Sequence, residues 1–240
     1  MLNIVSLIEA GFKVAEVCAM NDEQLNQIVR KLNEKKVEPS RVVPRLMMAG
    51  LSFDEQRFHD IFDHAAAKIS FAEVYVEIIY PIIEKLGLLW AENTLIPAQE
   101  HFVTNLLRQK IIVATEQLPI PSGKETWLLF LPEDEFHELG LLFANYLIRL
   151  SGRKTIYLGA NLPLPTLEQA ALPLKPDVGL FFSVRNEEPE FIDSYLKRLA
   201  KMKNPKQIFI AKKADENNSR FVRKKINVLN SVADLENALK

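Results

Sequence analysis

The chain has 240 residues, room for one large domain or two modest ones, and its 48% hydrophobic and 25% charged residues are those of a folded globular protein rather than a disordered one. A formal net charge of -1 gives no overall bias toward nucleic acid or a membrane surface. The single cysteine, Cys18, excludes an internal disulfide framework and a multi-cysteine zinc site and fits a reducing compartment. The first residues lack the basic start and long apolar core of a signal peptide, and no apolar run is long enough to span a bilayer, so a soluble, cytoplasmic protein is expected.

Residues 1 to about 120 read as almost entirely helical. Leu2, Val5, Leu7 and Ile8 share one helical face that stops at Gly11, a second short helix covers 14–20, and Asn21 is the candidate N-cap of a third over 22–32. Pro39 or Ser40 opens the next helix. Ser52 followed by Glu55 predicts a capping box for a helix over 53–67, with Phe53, Phe58 and Phe62 facing a core. Ser70 and Glu73 predict another cap, and Pro81 a helix start or kink. Pro97 begins the last helix of the group, with Phe102, Leu106, Ile111 and Val113 as core positions. Two prolines and a glycine in residues 118–123 mark a linker.

After the linker the period changes. Short apolar runs over 127–131, 155–158, 178–182, 208–210 and 226–229 read as strands, and the stretches 136–150, 165–171, 191–202 and 232–239 as helices. Continuous apolar strands alternating with helices predict a parallel sheet covered on both faces.

Four histidines are present, at positions 59, 64, 101 and 137. His59 and His64 stand among Asp54, Asp60 and Asp63, the pattern of a solvated acidic helix face; no third ligand that would make them a metal site stands out. His137 follows the first strand directly, at the start of the first helix of the α/β part. Ligands of doubly wound folds bind outside the carboxyl ends of strands. Glu135, two residues earlier, can accept the second ring proton, orient the imidazole and raise its basicity toward a metal. Basic residues gather late in the chain, at Lys201, Lys203, Lys206, Lys212, Lys213, Arg220, Arg223, Lys224 and Lys225. Such a run is usually a solvated face, a phosphate contact being the sharper alternative.

The spacing Glu135-x-His137-x-x-Gly140 resembles the signature of cobalamin-binding domains, and Tyr157 to Pro163 resembles that family's second strand and its loop. Trp90 with Glu100-His101 resembles the helical cap of the CarH/LitR-type photoreceptor regulators of the MerR family, and of the related methionine synthase cap. Residues 1–36 resemble the last helices of a MerR-type DNA-binding domain, without its helix-turn-helix and wing. The resemblance implies an α plus α/β architecture. Residues 1–36 would be that remnant, 37–120 a helical cap bundle, and 121–240 a Rossmann-like, flavodoxin-type domain with a five-stranded parallel sheet. It implies a corrinoid cofactor, adenosylcobalamin in the photoreceptor group, with His137 replacing the lower base on cobalt. Gly140 and Ser183 would lie beside the nucleotide tail, Trp90 over the upper face, Glu100 on the adenosyl ribose, and His101 on cobalt after light breaks the cobalt–carbon bond. Promoter DNA, for a form carrying the helix-turn-helix, and a homo-oligomer are the implied partners; no catalysis and no membrane are. The sequence departs from the pattern where the family carries a glycine pair after the fourth strand, here Lys212-Lys213, and at Arg185, where a small or hydroxylated residue is usual. Two other functions fit the same residues: a corrinoid carrier for methyl transfer, and a regulator that works without a cofactor.

Overall fold

The computed structural model describes residues 37–184, 189–212 and 225–240. The helices expected before residue 37, together with Cys18, Arg185, Lys213, Arg220, Arg223 and Lys224, lie outside the described residues. The backbone divides into two compact units, one running to Val103 and the other from Thr104 to Lys240.

The first unit is helical. Helix α1 (Pro39–Leu51) buries Val43, Leu46, Met47, Ala49 and Gly50. Phe53 then takes a left-handed φ of 58°, which ends α1 and moves the start of the next helix downstream. The expected cap at Ser52 is therefore not made. Its hydroxyl donates back to the Met48 and Ala49 carbonyls at 2.8 and 3.1 Å. The N-cap of α2 (Glu55–Ala66) is Asp54, which accepts the Arg57 N–H at 3.1 Å. Phe58 and Phe62 are in the core as expected, whereas Phe53 is 47% exposed and rests against the Phe102 ring.

Ser70 and Glu73 make the expected capping box on α3 (Phe71–Val74). Pro81 has no N–H to offer the Glu77 carbonyl, so the ordinary ladder cannot run through this point. The chain instead makes a π-helical turn, Tyr75–Ile79, closed by the Tyr80 N–H on the Tyr75 carbonyl, and continues as α4 (Tyr80–Ala91). Helix α5 (Pro97–Glu116) spans the division between the units. Val103, Leu106, Leu107 and Ile111 form its buried stripe. Val113, expected in the core, is 54% exposed because it falls outside the spacing set by Leu107 and Ile111.

The second unit is a five-stranded, fully parallel sheet: β1 (Thr126–Pro132), β2 (Lys154–Leu162), β3 (Val178–Phe182), β4 (Gln207–Ala211) and β5 (Ile226–Leu229). The spatial order is β2-β1-β3-β4-β5, the flavodoxin-like arrangement. Between the strands run α6 (Leu139–Leu150), α7 (Leu164–Leu174) and α8 (Pro189–Lys201), and α9 (Val232–Ala238) follows β5. Leu128, Phe130, Phe181, Ile208, Ile210 and Ile226 pack with Leu164 and Leu167 of α7 and with Ile192, Leu196 and Leu199 of α8. Trp127 stacks on Phe209 at 5.5 Å, and α6 packs on β1, β2 and β3. Lys225 does not belong to a solvated basic face. Its ammonium turns inward to the Met202 and Pro205 carbonyls at 2.6 and 2.9 Å, and burial lowers its pKa.

Candidate functional site

In this strand order the connections leaving β1 and β3 run to opposite sides of the sheet, which opens a crevice at the carboxyl ends of those strands. The loop carrying Glu135 and His137 emerges there. His137 is not in the following helix as the sequence suggested, since α6 begins at Leu139. The side chain of Glu135 braces the loop instead. Its Oε1 accepts the His137 backbone N–H at 3.0 Å and lies 2.6 Å from His137 Nδ1. Its Oε2 accepts the Val184 N–H, just beyond β3, at 3.0 Å.

Glu135 is 1% exposed, while the imidazole it braces is 63% exposed. An ionised carboxylate can only accept, so this contact places the ring proton on Nδ1 and leaves the Nε2 lone pair as the basic one. That is the arrangement of a metal-ligating histidine backed by a carboxylate. The loop is fixed further by Asn161, at the end of β2. Asn161 has φ 57°; its side-chain oxygen accepts the Asp134 N–H at 2.9 Å, and its own N–H reaches the Glu135 carbonyl at 3.2 Å.

Gly140, in the first turn of α6, faces β3. A Cβ there would stand 2.7 Å from Phe182 Cε1, so helix and strand are in contact at this point and the Phe182 ring fills the space beside the glycine. Ser183 is buried, and its N–H continues the ladder to the Ala211 carbonyl at 3.1 Å. Lys212 donates its N–H to the Leu229 carbonyl at 3.0 Å, directly after β4. The structure thus joins Glu135, His137 and the end of β3 in one constellation, with Gly140 and Ser183 on the neighbouring elements.

In the helical unit, Trp90 lies in the last turn of α4 and is 51% exposed. The chain then reverses over 92–96. Asn93 takes φ 54°, and Thr94 bonds the Leu89 carbonyl through both its N–H and its hydroxyl. Glu100 and His101 follow in the first turns of α5, their side chains paired through Oε2 and Nδ1 at 2.9 Å. Gln99, which the sequence did not single out, fixes this start. Its oxygen accepts the Ile96 N–H at 3.3 Å, and its amide donates to the Leu51 carbonyl at 2.8 Å. His59 pairs with Glu55 at 3.4 Å along α2, and no cluster of three or more His, Cys, Asp or Glu suited to a metal occurs among the described residues.

Residues 42–114, the helical stretch, match the family model described as a B12 binding domain. Over 154 residues the chain is 29% identical to the HTH-type transcriptional repressor CarH of Myxococcus xanthus, covering 64% of this chain and 51% of that one. It is 26% identical over 190 residues to the repressor CarA of the same organism, covering 78% of this chain and 61% of that one.

The aligned stretch spans about half the length of CarH. Among solved structures, the monomethylamine corrinoid protein of Methanosarcina barkeri superposes with a TM-score of 0.66 at 13% identity, covering 84% of this chain and 99% of that one. That likeness is one of fold: helices followed by a parallel Rossmann-like sheet. No described helix is long and apolar enough to cross a membrane.

An accessible imidazole, carrying its proton on the nitrogen that faces a buried carboxylate, suits a soft-to-borderline metal ion. Beside Gly140 the Phe182 ring fills the space, and Lys212 stands where the resemblance has a glycine pair.

Proposed function

We propose that this chain is the sensor region of a transcription regulator and that it binds a corrinoid, adenosylcobalamin in the first instance. The braced His137 carries this reading. In it, Nε2 of His137 is the lower ligand of cobalt, held in direction and tautomer by Glu135. Trp90, Glu100 and His101 serve the upper face, with His101 as a second cobalt ligand. Gly140 and Ser183 line the tail side. Bound adenosylcobalamin supplies a cobalt–carbon bond that light can break. The protein's part is to hold the ring, exclude water and assemble differently in the two states, which requires unequal affinity of the cofactor for those states. Homo-oligomerisation and promoter binding by a form carrying a helix-turn-helix belong to the same proposal. The match to a B12 binding domain and the likeness to the two repressors support it.

The test is to mix the purified chain with adenosylcobalamin in the dark and record its absorption spectrum and gel-filtration profile before and after green light. A protein-bound spectrum lacking the cofactor's own lower base, and a change of size on illumination, are expected. Bound corrinoid with no change of size would remove the light switch. The corrinoid-carrier reading, favoured by the fold shared with the monomethylamine corrinoid protein, would then be tried with methylcobalamin as methyl donor. No bound corrinoid in any condition would leave a regulator that works without a cofactor.

A further inference from the structure

Glu138, the residue after His137, is gripped by two groups from outside its own loop. Arg108 of α5 forms an ion pair with its Oε2 through Nη1, and the Tyr157 hydroxyl of β2 donates to its Oε1 at 2.8 Å. The carboxylate is well covered, at 13% exposure, and Arg108 is half-buried. Strand β2 makes room for it. The β1–β2 register slips between Leu129↔Tyr157 and Phe130↔Gly159, and Gly159 takes φ +77°, so that even a Cβ there would stand 3.4 Å from Glu138 Oε1. Glu138 also begins α6, its carbonyl accepting the Leu142 N–H at 2.9 Å. Residues 133–138 are neither helix nor strand. The loop that carries His137 is thus held on its buried side by Glu135 and, at its other end, by Glu138.

We infer that Arg108 is a positioning residue for His137: through Glu138 it fixes the end of the histidine loop, and it makes α5, the helix that also carries Glu100 and His101, the element on which that loop's placement depends. Arg108 lies about two turns, roughly 10 Å of helical rise, beyond His101 on the same helix. Without the guanidinium, a covered carboxylate keeps only the Tyr157 hydroxyl as an outside partner. The lower-energy course is then for Glu138 to turn toward water and carry the first turn of α6 with it. Lysine keeps the charge but loses the planar fork, so it restores the contact in part. The identity of His137 as a cobalt ligand rests on the function proposed above; the placement of its ring does not.

The experiment uses the whole chain without corrinoid, labelled with 15N-histidine, and long-range proton–nitrogen spectra near pH 8 to read which ring nitrogen of His137 carries the proton. The signal is identified by its loss in His137→Gln. The parent should show about nine tenths of the Nδ1–H form, because Glu135 holds that proton. Arg108→Met should shift the tautomer ratio toward Nε2–H by about fivefold or more, Tyr157→Phe by less, and Arg108→Lys should recover much of the parent ratio. Urea midpoints recorded alongside separate a local effect on the ring from general loosening of the fold. Ratios within twofold of the parent in both Arg108→Met and Tyr157→Phe overturn the inference, as does a parent in which Nε2–H predominates. A second arm titrates the same proteins with aquocobalamin, where about tenfold weaker binding by Arg108→Met is expected. A parent that binds no corrinoid but shows the tautomer shift sinks the proposed function and leaves the positioning role standing.

Discussion

Replacing Glu135 with glutamine tests the centre of the site, because the change keeps the shape and removes only the charge. The carboxylate is 1% exposed and accepts from the His137 ring, the His137 backbone and the Val184 backbone. In Glu135→Gln one amide oxygen can serve His137, but the amide nitrogen must then face the Val184 N–H, donor against donor. One charge-assisted bond is lost and two become neutral. With charge-assisted bonds contributing about 1.5–3 kcal/mol each and neutral ones about 1, the net cost is about 2.5–7 kcal/mol. For a unit of this size that is at least about 5 °C in Tm. Glu133→Gln, an exposed carboxylate in the same loop, is the control and should stay within about 0.5 kcal/mol of the parent. The assays are a circular-dichroism melt and a urea titration, followed by corrinoid titration at a temperature where both variants are folded. Affinity should fall about 10–100-fold in Glu135→Gln, the usual penalty for losing the partner that orients a metal-bound imidazole. A parent-like melt together with parent-like affinity would refute the argument that this buried carboxylate orients the ring.

Three further outcomes are expected. Gly140→Ala brings a Cβ to 2.7 Å from Phe182 Cε1 and should destabilise the α/β unit by about 1–2 kcal/mol, after allowing for the better helix propensity of alanine. Adding Phe182→Leu should recover most of the loss, read from urea midpoints of the single and double variants. Burial and the hydrogen bond to Glu138 push the Tyr157 phenol above its ordinary pKa of 10.0. The unfolded chain therefore ionises first, so this tyrosine's contribution is full below pH 10 and shrinks as pH rises beyond it. Midpoints of the parent should drop more steeply across that range than those of Tyr157→Phe. Lys212→Gly should strengthen binding of cobalamin more than of cobinamide, which lacks the nucleotide tail, in paired spectrophotometric titrations; an equal effect on both would mean that Lys212 does not border the tail.

The fold was legible because its two halves speak in different periods. The run 178–182 has no polar side chain, as a strand buried on both faces requires, and it is a strand. Failures came where local backbone geometry or helical phase overrides spacing. Ser52 has the spacing of a capping residue, but the left-handed turn at Phe53 moves that role to Asp54. Val113 is apolar and near the end of a buried stripe, and only the phase fixed by Val103, Leu107 and Ile111 shows that it points outward. Phe136 to Glu138 have helical spacing, yet they lie in the loop braced by Glu135, and the helix begins at Leu139.

Separation along the chain decides which parts of the site could be read in advance. Glu135 and His137 are two residues apart, so their contact is local and spacing alone suggests it. Ring and carboxylate meet at 2.6 Å. The Val184 N–H that completes the carboxylate's shell comes from the end of β3, 49 residues away. Arg108 reaches Glu138 across 30 residues and Tyr157 reaches it across 19, pairings that depend on strand order and on the slip in register at Gly159. One signal for them did lie in the sequence. A glutamate that becomes covered needs partners, and a tyrosine in the second strand, Tyr157, was a place to look. The long-range contacts therefore carry the information that spacing cannot: a histidine two residues from an acid is common, while one whose loop is also tied to the preceding helix and the next strand is held in a single direction, as a metal ligand must be.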